Sequence, residues 1–264
     1  MTQGGRHGDI GLDIGRKTMQ PIYDFIGEAQ QQEKPFFVWY APMLPHDPHT
    51  PPPALFEKYS KLTPSPHVAR YWAMVEWFDQ TCGALLQHLN ENGLSKDTIV
   101  VYVADNGWIQ SPDSPKYVPK SKQSPYDGGL RTPIMVRYAE KLQPAISDVP
   151  VSSLDVFPTL LKLAGIAVPP DSAGLDLTDA AELKARRALF GEVFTHTALD
   201  LDDPARNWRW VLQDNMKLLV PTALEKNAVV ELYDVVRDLL ENNNLAPEQP
   251  DTVTKLLLAC TIPL

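Results

Sequence analysis

Two rhythms of apolar positions divide the chain. Between Thr18 and Gln32, Ile22, Phe25 and Ile26 share one side of an otherwise polar run, which predicts an amphipathic helix with Thr18 as its cap. Steps of three and four link Val68, Tyr71, Val75, Phe78, Cys82, Leu85 and Leu89. They predict one helix from Val68 to Asn92 with a core-facing stripe, ended by Asn92-Gly93. Ser152 to Ala164 predicts a further helix, capped by Ser153 or Asp155, with Pro158 near the first turn and Gly165 after its end. The other rhythm is unbroken: Lys34 to Tyr40 and Thr98 to Ala104 are short apolar runs read as buried strands, and Ile134 to Val136 is a further short apolar run. Strand, helix, strand is the order of a parallel or mostly parallel sheet.

After Gly165 the pattern changes. Val168 to Lys184 has loop composition and reads as a linker. Ala188 to Phe194, Trp208 to Gln213, Met216 to Val220 and Val229 to Leu232 are short β-leaning runs joined by turns, with Asp214-Asn215 as a hairpin signal. Pro250 to Ala259 predicts a last helix. The expected fold class is therefore α/β: a partial mixed, mostly parallel sheet flanked by helices, then a small C-terminal antiparallel sheet with one helix. The expected division is 1–167, a linker over 168–184, and 185–264.

Composition narrows the function classes. With 264 residues, 44% of them apolar, the chain can bury one large core or a large and a small one. A net charge of −9 argues against a general affinity for nucleic acid or anionic membrane. No apolar run approaches the roughly 18–20 residues of a membrane span, and no signal peptide is visible in the glycine-rich, polar stretch from Met1 to Arg16. Cys82 and Cys260 form no metal or redox spacing, and Cys82 lies on the helical stripe, so it reads as a small core residue. The 25 prolines cluster in loops, which implies stiff connections rather than disorder.

Chemistry gathers where the strand from Thr98 stops, at Asp105-Asn106-Gly107. Ligands collect beyond the carboxyl ends of strands in α/β sheets, and a carboxylate beside an amide there can hold a hard cation. Lys122 follows in a Pro/Ser-rich loop that turns at Gly128-Gly129, and Lys116, Lys120, Lys122, Arg131 and Arg137 oppose a single acid, Asp127. A cation-ligand pair with an ammonium group suits a sulfate or phosphate ester. Six prolines between Pro42 and Pro53 stiffen the loop carrying His46 and His49, and His196 closes Glu192-Val-Phe-Thr-His196. Taken singly, each also reads as an ordinary turn, a solvated lysine or a surface histidine.

The ensemble is more specific. Tyr71-Trp-Ala-Met-Val-Glu76 with Asp79, then Gly83, Leu85-Leu86, Gly93-Leu94, Asp97-Thr-Ile-Val-Val, Ala104-Asp-Asn-Gly and Tyr126-Asp-Gly-Gly-Leu-Arg-Thr-Pro133 follow in one order. This resembles the sulfatase family of the alkaline phosphatase superfamily, over nearly the whole chain. Glu231-Leu-Tyr-Asp234, Glu241 and Asn244-Leu-Ala246 resemble the ending of that family's C-terminal subdomain. The resemblance implies hydrolysis of sulfate esters by a formylglycine nucleophile beside a calcium ion. It implies that Asp105 and Asn106 are two of the calcium ligands, that Lys122 bonds sulfate oxygens, and that His46 (His49 as runner-up) contacts the sulfate. His49, His196 and Arg131 are secondary substrate-binding candidates.

The family's Cys/Ser-x-Pro-x-Arg motif does not occur here: Cys82 precedes Gly-Ala-Leu-Leu and Cys260 precedes Thr-Ile-Pro-Leu. The paired aspartates that end the family's first strand are absent as well. The expectation is thus the C-terminal portion of a sulfatase, inactive alone, with half the calcium ligand set, an open sheet edge and pairing with a missing N-terminal half. The expected substrate is a small aryl or carbohydrate sulfate, and the full-length parent is expected in the periplasm or outside the cell. The alternatives are a phosphodiesterase or phosphonate hydrolase of the same superfamily, or a non-catalytic anion-binding module.

Overall fold

The computed structural model describes residues 13–194 and 206–260. Among them run helices α1 (Gln20–Gln31), α2 (Pro53–Ser60) and α3 (Pro66–Glu91), then strands β1 (Val100–Val103) and β2 (Ile134–Arg137). A single turn of 3₁₀ helix, Ser153–Asp155, leads into α4 (Val156–Leu163). After it come α5 (Ala180–Ala185), strands β3 (Leu189–Phe194), β4 (Arg206–Gln213), β5 (Met216–Pro221) and β6 (Glu231–Asp234), and α6 (Pro250–Cys260). The described residues form two compact units. One holds those up to Thr98 with Gln110–Tyr117 and Tyr138–Lys141; the other holds Ile99–Ile109, Val118–Arg137 and those from Leu142 on.

In the first unit, α3 begins at Ser65, whose hydroxyl accepts from Val68 N at 3.3 Å and donates to the Pro112 carbonyl at 2.5 Å. Pro66 at the first helical position lacks a donor where none is needed. Asn92 and Gly93, at φ +72°, end the helix. The face that buries is carried by Ala69, Ala73, Met74, Thr81 and Leu89. Of the expected stripe, Leu89 is on this face, whereas Val75 is exposed. Helix α2, which the proline-rich sequence hid, starts at Pro53 and packs on α3 through Lys58–Glu76 at 2.6 Å and Tyr59 edge-on to Trp72.

The expected strand at Lys34 to Tyr40 is not formed. The segment has no regular secondary structure, and Phe37 and Trp39 are 73% and 83% exposed. An apolar run supplies side chains for a strand, but only a neighbouring backbone supplies the ladder. The parallel pairing is also replaced: β1 and β2 pair antiparallel, Val100 opposite Arg137 and Val103 opposite Ile134. The one helical segment between them, the turn Asp127–Leu130, is too short to make a crossover helix, and the chain returns alongside itself. Nor are they buried on both faces, since Val103 and Met135 are 42% and 57% exposed. The mixed α/β class itself holds.

In the second unit, β3 to β6 form an antiparallel sheet in sequence order. The Asp214-Asn215 turn closes the β4–β5 hairpin, with Asp214 at φ +55°. Val211, Leu218 and Leu232 alternate onto one face, where Leu256 of α6 covers them. Leu219, Tyr233 and Val235 bury on the other, with Tyr126, Trp208 and Trp210 against them. The stretch read as a linker is docked. Asp155, fully buried, caps the turn into α4 at Ser152 N, accepts from Leu175 N at 2.8 Å, and takes a bidentate Arg186 at 2.6 and 2.9 Å. Asp179 then caps α5 through Ala181 N and Glu182 N.

Candidate functional site

The strand β1 delivers Asp105 and Asn106 to a turn at its carboxyl end. Asp105 Oδ1 accepts from Asn106 N at 2.8 Å. Asn106 Nδ2 donates to the Gly107 carbonyl at 3.0 Å, which commits the amide nitrogen and turns Oδ1 away from it. Gly107 N donates to the Gly129 carbonyl at 2.9 Å. A Cβ on Gly107 would strike the Gly128 carbonyl, one on Gly128 the Lys120 carbonyl, and one on Gly129 the Ser121 carbonyl. Three glycines therefore let the Asp-Asn tip, the Gly128-Gly129 turn and the loop of Lys120 to Lys122 stack backbone on backbone.

That loop is fixed from within. The buried Ser121 hydroxyl accepts from Ile109 N at 2.7 Å, and Ser124 Oγ donates to the Ser121 carbonyl. Lys120 and Gln123 sit at φ +61° and +63°, a conformation that turns the chain sharply on either side of Lys122. The Lys122 ammonium lies 5.7 Å from the centre of the Trp108 ring. A cation at this distance from an aromatic ring is attracted by the ring's electron-rich face. Trp108 was not singled out from the sequence, although its place directly after Asp-Asn-Gly was the available signal. Thr132 Oγ1 donates to the Ala104 carbonyl at 3.0 Å and so ties the far side of the turn to the end of β1. Arg131, one residue past the helical turn Asp127–Leu130, is exposed.

The two histidines belong to the first unit. His46 Nδ1 lies 3.0 Å from Asp47 Oδ1 and 2.6 Å from the Asp47 carbonyl, and Lys116 reaches the same carboxylate at 3.6 Å. His49 is half-buried, its ring centre 5.4 Å from that of Tyr71. Burial pushes its pKa below the usual imidazole range, against the Asp47 charge and a hydrogen bond with the Pro45 carbonyl. His196 lies outside the described residues.

Asp105 and Asn106 fit part of a hard-cation shell, not a whole one. Calcium takes roughly six to eight oxygens. Among the described residues no three His, Cys, Asp or Glu side chains converge as metal ligands. No described helix is long and apolar enough to cross a membrane.

Comparisons with known proteins bear on the family. Residues 14–166 match the family model described as Sulfatase, and residues 120–259 match that of the N-sulphoglucosamine sulphohydrolase C-terminal region. The chain is 32% identical over 149 residues to the uncharacterized sulfatase YdeN of Escherichia coli, a match covering 55% of this chain and 26% of YdeN. It is 24% identical over 252 residues to an N-acetylgalactosamine-6-O-sulfatase of Bacteroides thetaiotaomicron, covering 86% of this chain and 47% of that protein. Among solved structures, one from a study of glycosaminoglycan metabolism by Bacteroides thetaiotaomicron superposes with a TM-score of 0.75 at 22% identity, over 90% of this chain and 56% of that one. The chain thus spans less than half the length of these curated relatives. With more than half of its residues in the first of those matches, the chain belongs to the sulfatase family.

Proposed function

We propose that this chain is the part of a sulfatase that carries Asp105, Asn106, Lys122 and His46, and that the full-length protein hydrolyses sulfate esters of carbohydrates. The observation that carries this is the three-glycine stack that joins the Asp105-Asn106 tip to the Lys122 loop, inside the stretch matching the sulfatase family. Lys122, with its ammonium 5.7 Å from the centre of the Trp108 ring, would place that ammonium against the sulfate oxygens. The transferred group's charge is spread over those oxygens in the transition state, where a fixed cation orients and stabilises it, while new charge builds on the departing ester oxygen. His46, set by Asp47, would deliver a proton to the departing sugar oxygen. His49 is the second choice for that role, while Arg131 and His196 would contact the rest of the substrate. Asp105 and Asn106 would supply two oxygens to calcium, which when bound adds Lewis-acid polarisation of the ester. The 264 residues contain no Cys/Ser-x-Pro-x-Arg motif, so the formylglycine nucleophile would come from sequence beyond this chain, which alone would not turn over.

The carbohydrate class is suggested by relatives' names. They include the N-acetylgalactosamine-6-O-sulfatase and an ulvan-active sulfatase of Formosa agariphila, and one structural neighbour holds D-glucosamine-2-N,6-O-disulfate as its substrate. The test is sulfate-ester turnover by the full-length protein with Lys122→Ala and His46→Ala. Each should lower kcat by about 100-fold or more. Unchanged turnover in both variants would remove the two residues from the site.

A further inference from the structure

A buried charge cluster sits behind the turn that the candidate site leans on. Lys217, on β5, is 1% exposed, yet its ammonium is 2.6 Å from Asp127 Oδ1 and 3.0 Å from Glu241 Oε1. Glu241, also 1% exposed and at φ +53°, turns its other oxygen to the Asp127 backbone N–H at 2.6 Å. Around this triad, Lys120 donates to the Glu241 backbone carbonyl and lies 4.6 and 5.4 Å from the ring centres of Tyr126 and Tyr233. Both tyrosine hydroxyls donate to Glu231 Oε2, at 2.7 and 2.6 Å. Desolvation and the Glu231 carboxylate hold both phenols well above their usual pKa, so they remain donors across the working pH range.

A lysine and a glutamate this deep are retained against their desolvation, and an ion triad adds geometry more surely than stability. The geometry set here is that of Asp127. Its backbone starts the turn whose Gly128 and Gly129 carbonyls abut Gly107, and its carbonyl accepts from Arg131 N at 2.8 Å. Lys120 and Glu241 fix the same loop two residues before Lys122. We infer that Lys217 and Glu241 are positioning residues. Reaching from the C-terminal sheet and from the loop after its last strand, they clamp Asp127 and Lys120, and through the glycine stack hold Asp105, Asn106 and Lys122 in register. The inference rests on the reading of those three as site residues.

The substitution pair Lys217→Met with Glu241→Met tests this. It removes one charge of each sign, fills the same space and leaves only Asp127, which is partly exposed and can be hydrated. In the full-length protein, hydrogen exchange at Gly107 and Gly129 to Arg131 should speed by about tenfold while the β4–β5 hairpin keeps its protection. Sulfate-ester kcat should fall by about 10- to 100-fold with KM changed little, as for other residues that orient ligands from behind. The single Lys217→Arg substitution, which keeps the cation, should recover at least part of the kcat. Unchanged exchange at those amides overturns the clamp whatever the enzyme's activity. Faster exchange with unchanged kcat, while Lys122→Ala still abolishes turnover, overturns its link to the site. Full turnover in Lys122→Ala instead removes the underlying reading of the site, and the inference with it.

Discussion

At the scale of single residues, the legible part of the candidate site was the part carried by neighbours in sequence. Asp105, Asn106 and Gly107 are consecutive, and Lys122 stands four residues before Tyr126, so a linear reading finds them. Lys217 meets Asp127 across 90 positions, and Glu241 meets it across 114. No local pattern announces a buried lysine in a strand; only the folded partner shows why it is there. His49 carries a prediction at this scale. Its pKa is depressed, chiefly by burial, with Asp47, His46 and the Pro45 carbonyl the polar groups around it. The unfolded chain therefore binds the proton more readily. The stability this gives is present above the ordinary imidazole pKa and drains away as pH falls toward the folded value. Between about pH 7 and pH 5, the Tm of the native protein should fall more steeply than that of His49→Gln. Parallel curves would show that His49 is as solvated folded as unfolded.

At the scale of elements, helices were easier to read than strands. Periodicity placed α1, α3, α4 and α6 within a few residues, because each buries one side against its own unit. Helices α2 and α5 were lost to composition: proline opens the first, and the second lies inside a stretch that reads as linker until Asp179 is seen to cap it. Lys34 to Tyr40 failed in the other direction, because β character without a paired backbone makes no strand. Two substitutions probe elements directly. Ser65→Ala removes both the cap of α3 and the bond to the Pro112 carbonyl, and should cost about 1–2 kcal/mol in chemical unfolding. Gly191 lies opposite Trp210 in the β3–β4 ladder, and a Cβ there would enter the indole ring. Gly191→Ala should destabilise by about 1–3 kcal/mol; a neutral result would mean that the ring can leave its place without loss.

At the scale of the whole molecule, the class was legible and the strand directions were not. The α/β reading and the small antiparallel sheet at the C-terminal end stand, whereas the parallel ladder gives way to the antiparallel β1–β2 pair. Residues 14–166 match the sulfatase family, and under the proposed reading Asp105 and Asn106 supply part of a larger calcium shell. Chelation should therefore abolish turnover in the full-length protein, and added calcium should restore it. Asp105→Ala should raise the calcium needed for half-maximal activity by about tenfold or more. Turnover indifferent to chelator would place the Asp-Asn tip outside the chemistry.

The most direct test of the central claim uses matched pairs of esters: the kcat/KM of the full-length protein on a panel of carbohydrate sulfates and on the corresponding carbohydrate phosphate esters. A sulfatase should favour the sulfate by about tenfold or more, a transition-state difference of about 1.4 kcal/mol. Preference for the phosphorus ester, or no cleavage of the sulfate, would contradict the account.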